Sequence, residues 1–160
     1  MVHLRKMMPQ DRDAVLGMLS ETKMFTPEEI AVAMELVDIF LTNEKQKDYT
    51  IFVAQDENDQ AIGYVCYGAT PATEGTFDLY WIAVSPKNQN QGIGKKLLNF
   101  TENQVLEQNG RLIIIETSSQ PKYAPTQQFY LKNNYTIEAR IKDFYRIGDD
   151  RLIFIKRINS

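Results

Sequence analysis

The chain is poor in the residues that build cross-links and metal sites. It has one cysteine, Cys66, and one histidine, His3. A lone cysteine excludes an internal disulfide and suits a reducing compartment, and no His/Cys cluster stands at metal-ligand spacing. Basic residues are not in excess either. The formal charge is -3 and the pI near 5.2, with lysine and arginine never gathered in one run, which argues against a nucleic-acid surface. No apolar run approaches the roughly 20 residues of a membrane helix, and the opening MVHLRKMMPQDRD holds no stretch apolar enough for a secretory leader. The expectation is a soluble, cytoplasmic protein with neither nucleic acid nor membrane as partner. Repeats, linkers and low-complexity segments are missing too, so residues 1–160 read as one domain.

What is present is a globular balance, 43% hydrophobic against 24% charged, at a length that supports a core without staples. Val2 to Lys6 suits a first strand. Asp11 to Thr22 suits an amphipathic helix with Val15, Leu16 and Leu19 on one face. The TPEE stretch sets Thr26 as N-cap, Pro27 at the first helical position and Glu29 three residues after the cap, opening a helix striped by Ile30, Ala33, Met34, Val37, Phe40 and Leu41. YTIFVAQ and AIGYVCYGA flank the polar DENDQ, a hairpin pattern. A strand from Phe77 to Val84 leads into a helix carrying Leu97, Leu98, Thr101, Val105 and Leu106, which stops at Asn109 and Gly110. RLIIIETSS reads as a buried strand. A short helix opens at Pro125 and closes on Asn134, and two strands, Tyr135 to Ile141 and Arg151 to Arg157, are separated by KDFYRIGDD. This order predicts an α/β fold, a mixed sheet with helices on its faces.

The junction QNQGIG, residues 89 to 94, joins a strand to a helix. The first amides of a helix lack partners in their own backbone and carry the positive end of its dipole, so an anion can sit on them. Glycine allows positive φ there and leaves no side chain in the way. A Walker loop needs four residues between its glycines, whereas Gly92 and Gly94 are one apart. A dinucleotide fingerprint needs a third glycine where Leu97 stands.

YWIAVSPKNQNQGIGKKLL, LIIIETSS and FYLKNNY together resemble the GNAT superfamily, the Gcn5-related N-acetyltransferases, over almost the whole chain. Its Gln/Arg-x-x-Gly-x-Gly/Ala signature is matched by Gln89, Gly92 and Gly94. The resemblance implies a mostly antiparallel sheet of about seven strands flanked by about four helices, with acetyl-CoA as cosubstrate and an amine as acceptor. It puts the pyrophosphate on the loop formed by Gln89, Asn90, Gln91, Gly92, Ile93, Gly94 and Lys95, with the amides from Gln91 to Lys95 as donors. The pantetheine arm would run beside Ile82, Ala83 and Val84, taking main-chain hydrogen bonds from Ile82 and Val84. Lys95 and Lys96 either touch phosphates or form a solvated helix start. Many relatives are dimers, so a homodimer is implied as well, although no exposed apolar stripe in the sequence points to an interface.

Acetyl transfer from a thioester to an amine needs a base for the ammonium proton, a donor for the oxyanion and an acid for the departing thiolate. For the acid, the resemblance points to Tyr130 in QQFYLKNNY, with Asn134 and Tyr135 where the family has Gly and Phe; the bland alternative is a core aromatic. For the base, two carboxylates compete. Asp78 has the spacing before Gln89 of the catalytic Glu in the histone-acetylating branch, one methylene shorter, and Glu116 resembles the Glu of the ribosomal-protein N-terminal acetylating branch. Glu116 interrupts an apolar strand, which is costly unless it faces a cleft or a partner, and it is slightly favoured over Asp78. Period-two alternation sends one of Tyr80 and Trp81 to the core and the other to the cleft. His3 reads as structural, and Cys66 as a small apolar residue.

In this family the acceptor pocket lies between ETKMFTP and KDFYRIGDD, so Met24, Phe25, Phe144 and Tyr145 would wall it while Asp149 and Asp150 attract a cation. The competing explanation of IGDD is a tight polar turn. A catalytically silent acyl-CoA-binding domain is the alternative to an enzyme; a phosphotransferase is disfavoured by the missing Walker lysine and magnesium-binding aspartate pair.

Overall fold

The computed structural model describes residues 1–158. Strand β1 (His3–Lys6) pairs antiparallel with β2 (Thr50–Gln55), and α1 (Arg12–Glu21) and α2 (Pro27–Thr42) run between them in sequence. The expected capping box closes at the start of α2. The Glu29 amide donates to Thr26 Oγ1 and the Thr26 amide to Glu29 Oε1, each at 3.1 Å. The predicted hairpin forms between β2 and β3 (Ala61–Ala69), its turn held by Asp56 Oδ1, which accepts from the amides of Asn58 and Gln60 at 2.9 and 3.0 Å.

β4 (Thr76–Val84) follows, then α3 (Ile93–Glu107), β5 (Leu112–Ser118), α4 (Ala124–Lys132), β6 (Thr136–Arg146) and β7 (Asp149–Arg157). The seven strands form one sheet in the order β1-β2-β3-β4-β5-β7-β6. Every neighbouring pair is antiparallel except β4 with β5. This is the mixed, mostly antiparallel sheet with four helices that the sequence implied.

Alternate residues of the central strands serve two separate cores, as the pleat requires. Ala54, Val65 and Tyr67 pack with Leu97, Leu98 and Val105 of α3 and Tyr130 of α4, while Ile51, Val53, Tyr64 and Cys66 pack with Val15 and Leu19 of α1 and Val37 of α2. α3 stops where expected: Asn109 takes φ 62° and the Gly110 amide returns to the Val105 carbonyl at 2.8 Å. α4 likewise ends in a left-handed residue, Asn134 at φ 70°, and the Tyr135 amide returns to the Tyr130 carbonyl at 3.0 Å.

Three expectations of detail are corrected. Leu106 is 42% exposed, because the buried line of α3 runs through Ile93, Leu97, Leu98, Thr101 and Val105, and one residue beyond Val105 the helix has turned to solvent. On α1, Met18 rather than Leu16 completes the buried face. The KDFYRIGDD segment is mostly strand, not a separating loop: β6 runs on to Arg146 and β7 starts at Asp149, around Gly148 at φ 84°. Polar side chains hold that hairpin, with the Gly148 amide donating to Asp143 Oδ1 at 2.8 Å and the Asp143 amide to Asp150 Oδ1 at 2.9 Å.

Candidate active site

β4 and β5 begin as a parallel pair, with Thr76 facing Leu112, Phe77 facing Ile113 and Asp78 facing Ile114. There the pairing stops, although β4 continues to Val84 and β5 to Ser118. The stretch Leu79–Val84 remains bonded to β3 on its other side, so on the β5 side its main-chain groups face open space. A strand edge of this kind can pair with an amide-bearing chain. The splay widens into a cleft of about 1270 Å³ that includes Ile82, Ala83 and Val84 of β4, the start of α3, Glu116 and Thr117 of β5, and Phe129 and Tyr130 of α4. Single-ligand pockets hold roughly 300–1,000 Å³. This cleft has room for two substrates at once.

At its β4 end the chain turns through Pro86–Asn88 and then through Asn90 at φ 64°, and Gly92 caps α3 at φ 79°. The first helical bond runs from the Lys96 amide to the Gly92 carbonyl at 3.0 Å, and no side chain caps the helix, which leaves the amides of Ile93, Gly94 and Lys95 free. A Cβ on Gly92 would meet nothing within 4 Å, so glycine is needed there for its backbone angle; at Gly94 a Cβ would stand 3.4 Å from Phe129 Cζ, tight against α4. Gln89 Nε2 donates to the Val84 carbonyl at 3.3 Å and ties the loop to the strand end.

Most of the sequence candidates meet in this cleft. Gln89, Asn90, Gly92, Ile93, Gly94 and Lys95 line it with Ile82, Ala83 and Val84, and so do Tyr130, Glu116 and Asp78. The Ile93 side chain is buried in the core and leaves only its backbone for a ligand. Gln91 lies on a separate hollow beside Met1 and Asp56. Lys96 also departs, its Nζ donating to the Val2 carbonyl at 2.9 Å.

Tyr130 is almost fully buried, packed between the rings of Tyr135 and Phe154 at centroid distances of 5.9 and 5.6 Å. Burial pushes its hydroxyl well above the usual tyrosine value, so it stays protonated. Glu116 forms an ion pair with Arg151 of β7, whose guanidinium also stacks 4.7 Å over the Phe144 ring. Asp78 forms no salt bridge among the described residues. It accepts from Thr70 Oγ1 at 2.6 Å and from Tyr80 Oη at 3.5 Å, and burial followed by the Asp78 charge pushes the Tyr80 hydroxyl up to about 12.

Tyr80 and Trp81 do not part company as alternation predicts; both line the cleft. A bulge explains this, since Tyr67 pairs with Leu79 and Cys66 with Trp81, leaving Tyr80 as an extra residue. Of the expected acceptor wall, Met24, Phe25 and Tyr145 line the cleft, whereas Phe144 is exposed under Arg151. Asp149 and Asp150 are already engaged: Asp149 bonds Arg146 at 2.6 Å and Ser118 Oγ at 2.5 Å, and Asp150 bonds Arg140 at 2.5 Å. They hold the hairpin, as the tight-turn explanation required. His3 is exposed on β1. Cys66 is buried, and burial pushes its thiol up to about 12.

Two groups escaped the sequence reading. Thr117, 8% exposed, lines the cleft with an Oγ1 that has no partner among the described residues; its signal was a hydroxyl after Glu116 in an apolar strand. Tyr123 donates to the Met24 carbonyl at 3.2 Å and faces Glu29 Oε2 at 3.4 Å. Nothing short of the tertiary fold brings it to α2.

An open strand edge leading into an uncapped helix start is an arrangement that can hold an extended, anion-ended ligand. The profile of the acetyltransferase (GNAT) domain matches residues 47–137. A crystal structure from Desulfovibrio desulfuricans assigned to the GNAT acetyltransferases is 44% identical and superposes with a TM-score of 0.95 over 99% of this chain and 100% of that one. The ribosomal-protein-S18-alanine N-acetyltransferase of Escherichia coli shares the fold at 16% identity, TM-score 0.78, over 100% of this chain and 96% of that one. An aminoglycoside 6'-N-acetyltransferase in complex with coenzyme A does so at 16%, TM-score 0.77, over 99% and 98%. No curated protein matches the chain in sequence. The chain belongs to the GNAT family of acetyltransferases. No helix among the described residues is long and apolar enough to cross a membrane.

Proposed function

We propose that the protein moves an acetyl group from acetyl-CoA to a primary amine by direct attack within a ternary complex. The observation that carries this reading is the continuity of the open edge Leu79–Val84 with the free amides of Ile93, Gly94 and Lys95. A pantetheine arm pairs with the first and a diphosphate with the second. Family membership and the coenzyme A held by a neighbour of the same fold support it.

The amine nitrogen attacks the thioester carbonyl, the C–N bond forms, and the C–S bond breaks. Asp78 receives the ammonium proton, directly or through water. It is preferred to Glu116 because Arg151 neutralises Glu116, whereas no cation among the described residues pairs with Asp78. Tyr130, kept neutral by burial, gives its proton to the departing thiolate and is restored from solvent. The free Thr117 hydroxyl offers the bound substrates one more donor at the cleft wall.

The test is release of CoA thiol from acetyl-CoA over a panel of amines, with a Gly92→Glu variant as control. Cys66 does not interfere, being buried with its thiol pushed up to about 12. Release that requires an amine and vanishes in the control is expected. Binding of acetyl-CoA without turnover of any amine would replace the enzyme with a silent binding domain.

A further inference from the structure

The half of the cleft away from the glycine loop is walled by rings. Phe25 meets Trp81 edge to face at a centroid distance of 5.2 Å and Tyr123 at 6.5 Å, and Tyr49 meets Tyr80 at 5.4 Å. They come from the segment between α1 and α2, the stretch before β2, the bulge of β4 and the turn before α4, so separate parts of the fold contribute one aromatic lining. The Tyr123 hydroxyl is tied back to the Met24 carbonyl, and what the residue offers the cleft is its ring.

Charge on this side is sparse: Lys122 holds its Nζ 5.3 Å from the centroid of the Tyr123 ring, and most of the carboxylates are answered within the protein. Glu116 pairs with Arg151 and Asp149 with Arg146. Asp78 and Glu29 take part in no salt bridge among the described residues. Glu29 has a structural task, closing the cap of α2. Both Glu29 oxygens are taken up by the Thr26 amide and the Tyr123 hydroxyl, whereas both hydrogen bonds to Asp78 fall on Oδ2, and Asp78 stands beside Tyr80 at the edge of the ring wall. A polycation such as a polyamine or an aminoglycoside calls for a cluster of carboxylates, and here it would meet the Lys122 ammonium in the same cleft as Glu29 and Asp78. A flat apolar body bearing a single ammonium finds rings for the body, with dispersion and cation–π attraction, and a carboxylate for the charge.

We infer that the acceptor is an aralkylamine, a primary monoamine carried on an aromatic body, seated on Phe25, Trp81 and Tyr123 with its nitrogen toward Asp78. This rests on the acetyltransferase reading above and narrows its substrate class. Trp81 is the chain's single tryptophan, so its fluorescence reports occupation of the wall without any turnover.

The experiment titrates the wild-type protein, saturated with coenzyme A, with phenethylamine, n-propylamine and spermidine while following Trp81 emission, and measures CoA release from acetyl-CoA with the same three amines. Phenethylamine is expected to change the emission saturably at concentrations where the other two do not, and to show the highest kcat/KM. Phe25→Ala is expected to cut the preference for phenethylamine over n-propylamine about tenfold, mostly through KM. An unresponsive Trp81, or spermidine or n-propylamine turned over as well as phenethylamine, overturns the aralkylamine assignment while leaving the enzyme intact. A clear emission change with no thiol release from any amine leaves the ring-wall site standing and removes the enzymatic reading instead.

Discussion

Asp78 faces Ile114 across the last rung that joins β4 to β5, and beyond that rung the two strands separate. The carboxylate thus stands at the apex of the cleft, held by two hydroxyls and by no cation among the described residues. Removing its charge while keeping its shape tests which carboxylate takes the proton. Asp78→Asn is expected to lower kcat about a hundredfold with acetyl-CoA affinity unchanged. Glu116→Gln leaves Arg151 partly buried without its counter-charge, so its expected cost falls first on thermal stability. A large loss of kcat in Glu116→Gln beside an active Asp78→Asn would exchange the two roles.

Tyr130→Phe keeps the ring that packs against Tyr135 and Phe154 and deletes only the hydroxyl. Stability should hold and kcat should fall about a hundredfold, read from steady-state rates beside acetyl-CoA titration calorimetry. An undiminished kcat would remove Tyr130 as the acid. Its raised hydroxyl also sets the alkaline behaviour. Tyr130 resists ionisation in the fold more than in the unfolded chain, so its contribution is complete below the ordinary tyrosine value of about 10 and is lost as pH rises beyond it. Tyr64 and Tyr67 shift the same way through burial. Melting temperatures are expected to be insensitive to tyrosine ionisation at neutral pH and to drop once pH passes about 10.

The two adjacent lysines are expected to behave differently. Lys95 lines the cleft beside the free amides, whereas Lys96 holds the Val2 carbonyl. Lys95→Ala should weaken acetyl-CoA binding about fivefold in low salt, with the difference shrinking as salt is raised. Lys96→Ala should leave that affinity unchanged and loosen only the N-terminal strand, visible as faster amide exchange there. Equal effects on affinity would mean that both lysines reach the phosphates.

Local patterns made most of the fold legible. The capping box at Thr26 and Glu29, the DENDQ turn and the left-handed stops at Asn109 and Asn134 are each encoded within a few residues, and each formed as read. The loop and its helix were legible for the same reason, because glycines at 92 and 94 before an apolar stripe specify an uncapped helix start. Long-range facts were not. The ion pair of Glu116 with Arg151 depends on the β5–β7 register, in which Glu116 faces Ile153 and Arg151 faces Ser118. Tyr80 and Trp81 share the cleft only because a bulge cancels the period-two alternation, and no residue in YWIAV announces it. The final hairpin is not legible because its polar residues look like a loop; Asp143, Asp149 and Asp150 spend that polarity on the turn and on neighbouring arginines.

Thr117 provides a separation of stability from function. Its hydroxyl is buried on the cleft wall without a partner among the described residues, a state that costs folding free energy and recurs at sites completed by a ligand or a water. Valine preserves the branched shape and removes the unpaired group. Thr117→Val should therefore melt no lower than the wild type, with a gain of up to about 1 kcal/mol. If the hydroxyl meets a substrate, kcat/KM for the amine falls about tenfold in the same variant, since a hydrogen bond made only in the complex is lost. A variant that is more stable and equally fast would assign the hydroxyl to a buried water and take Thr117 out of the reaction.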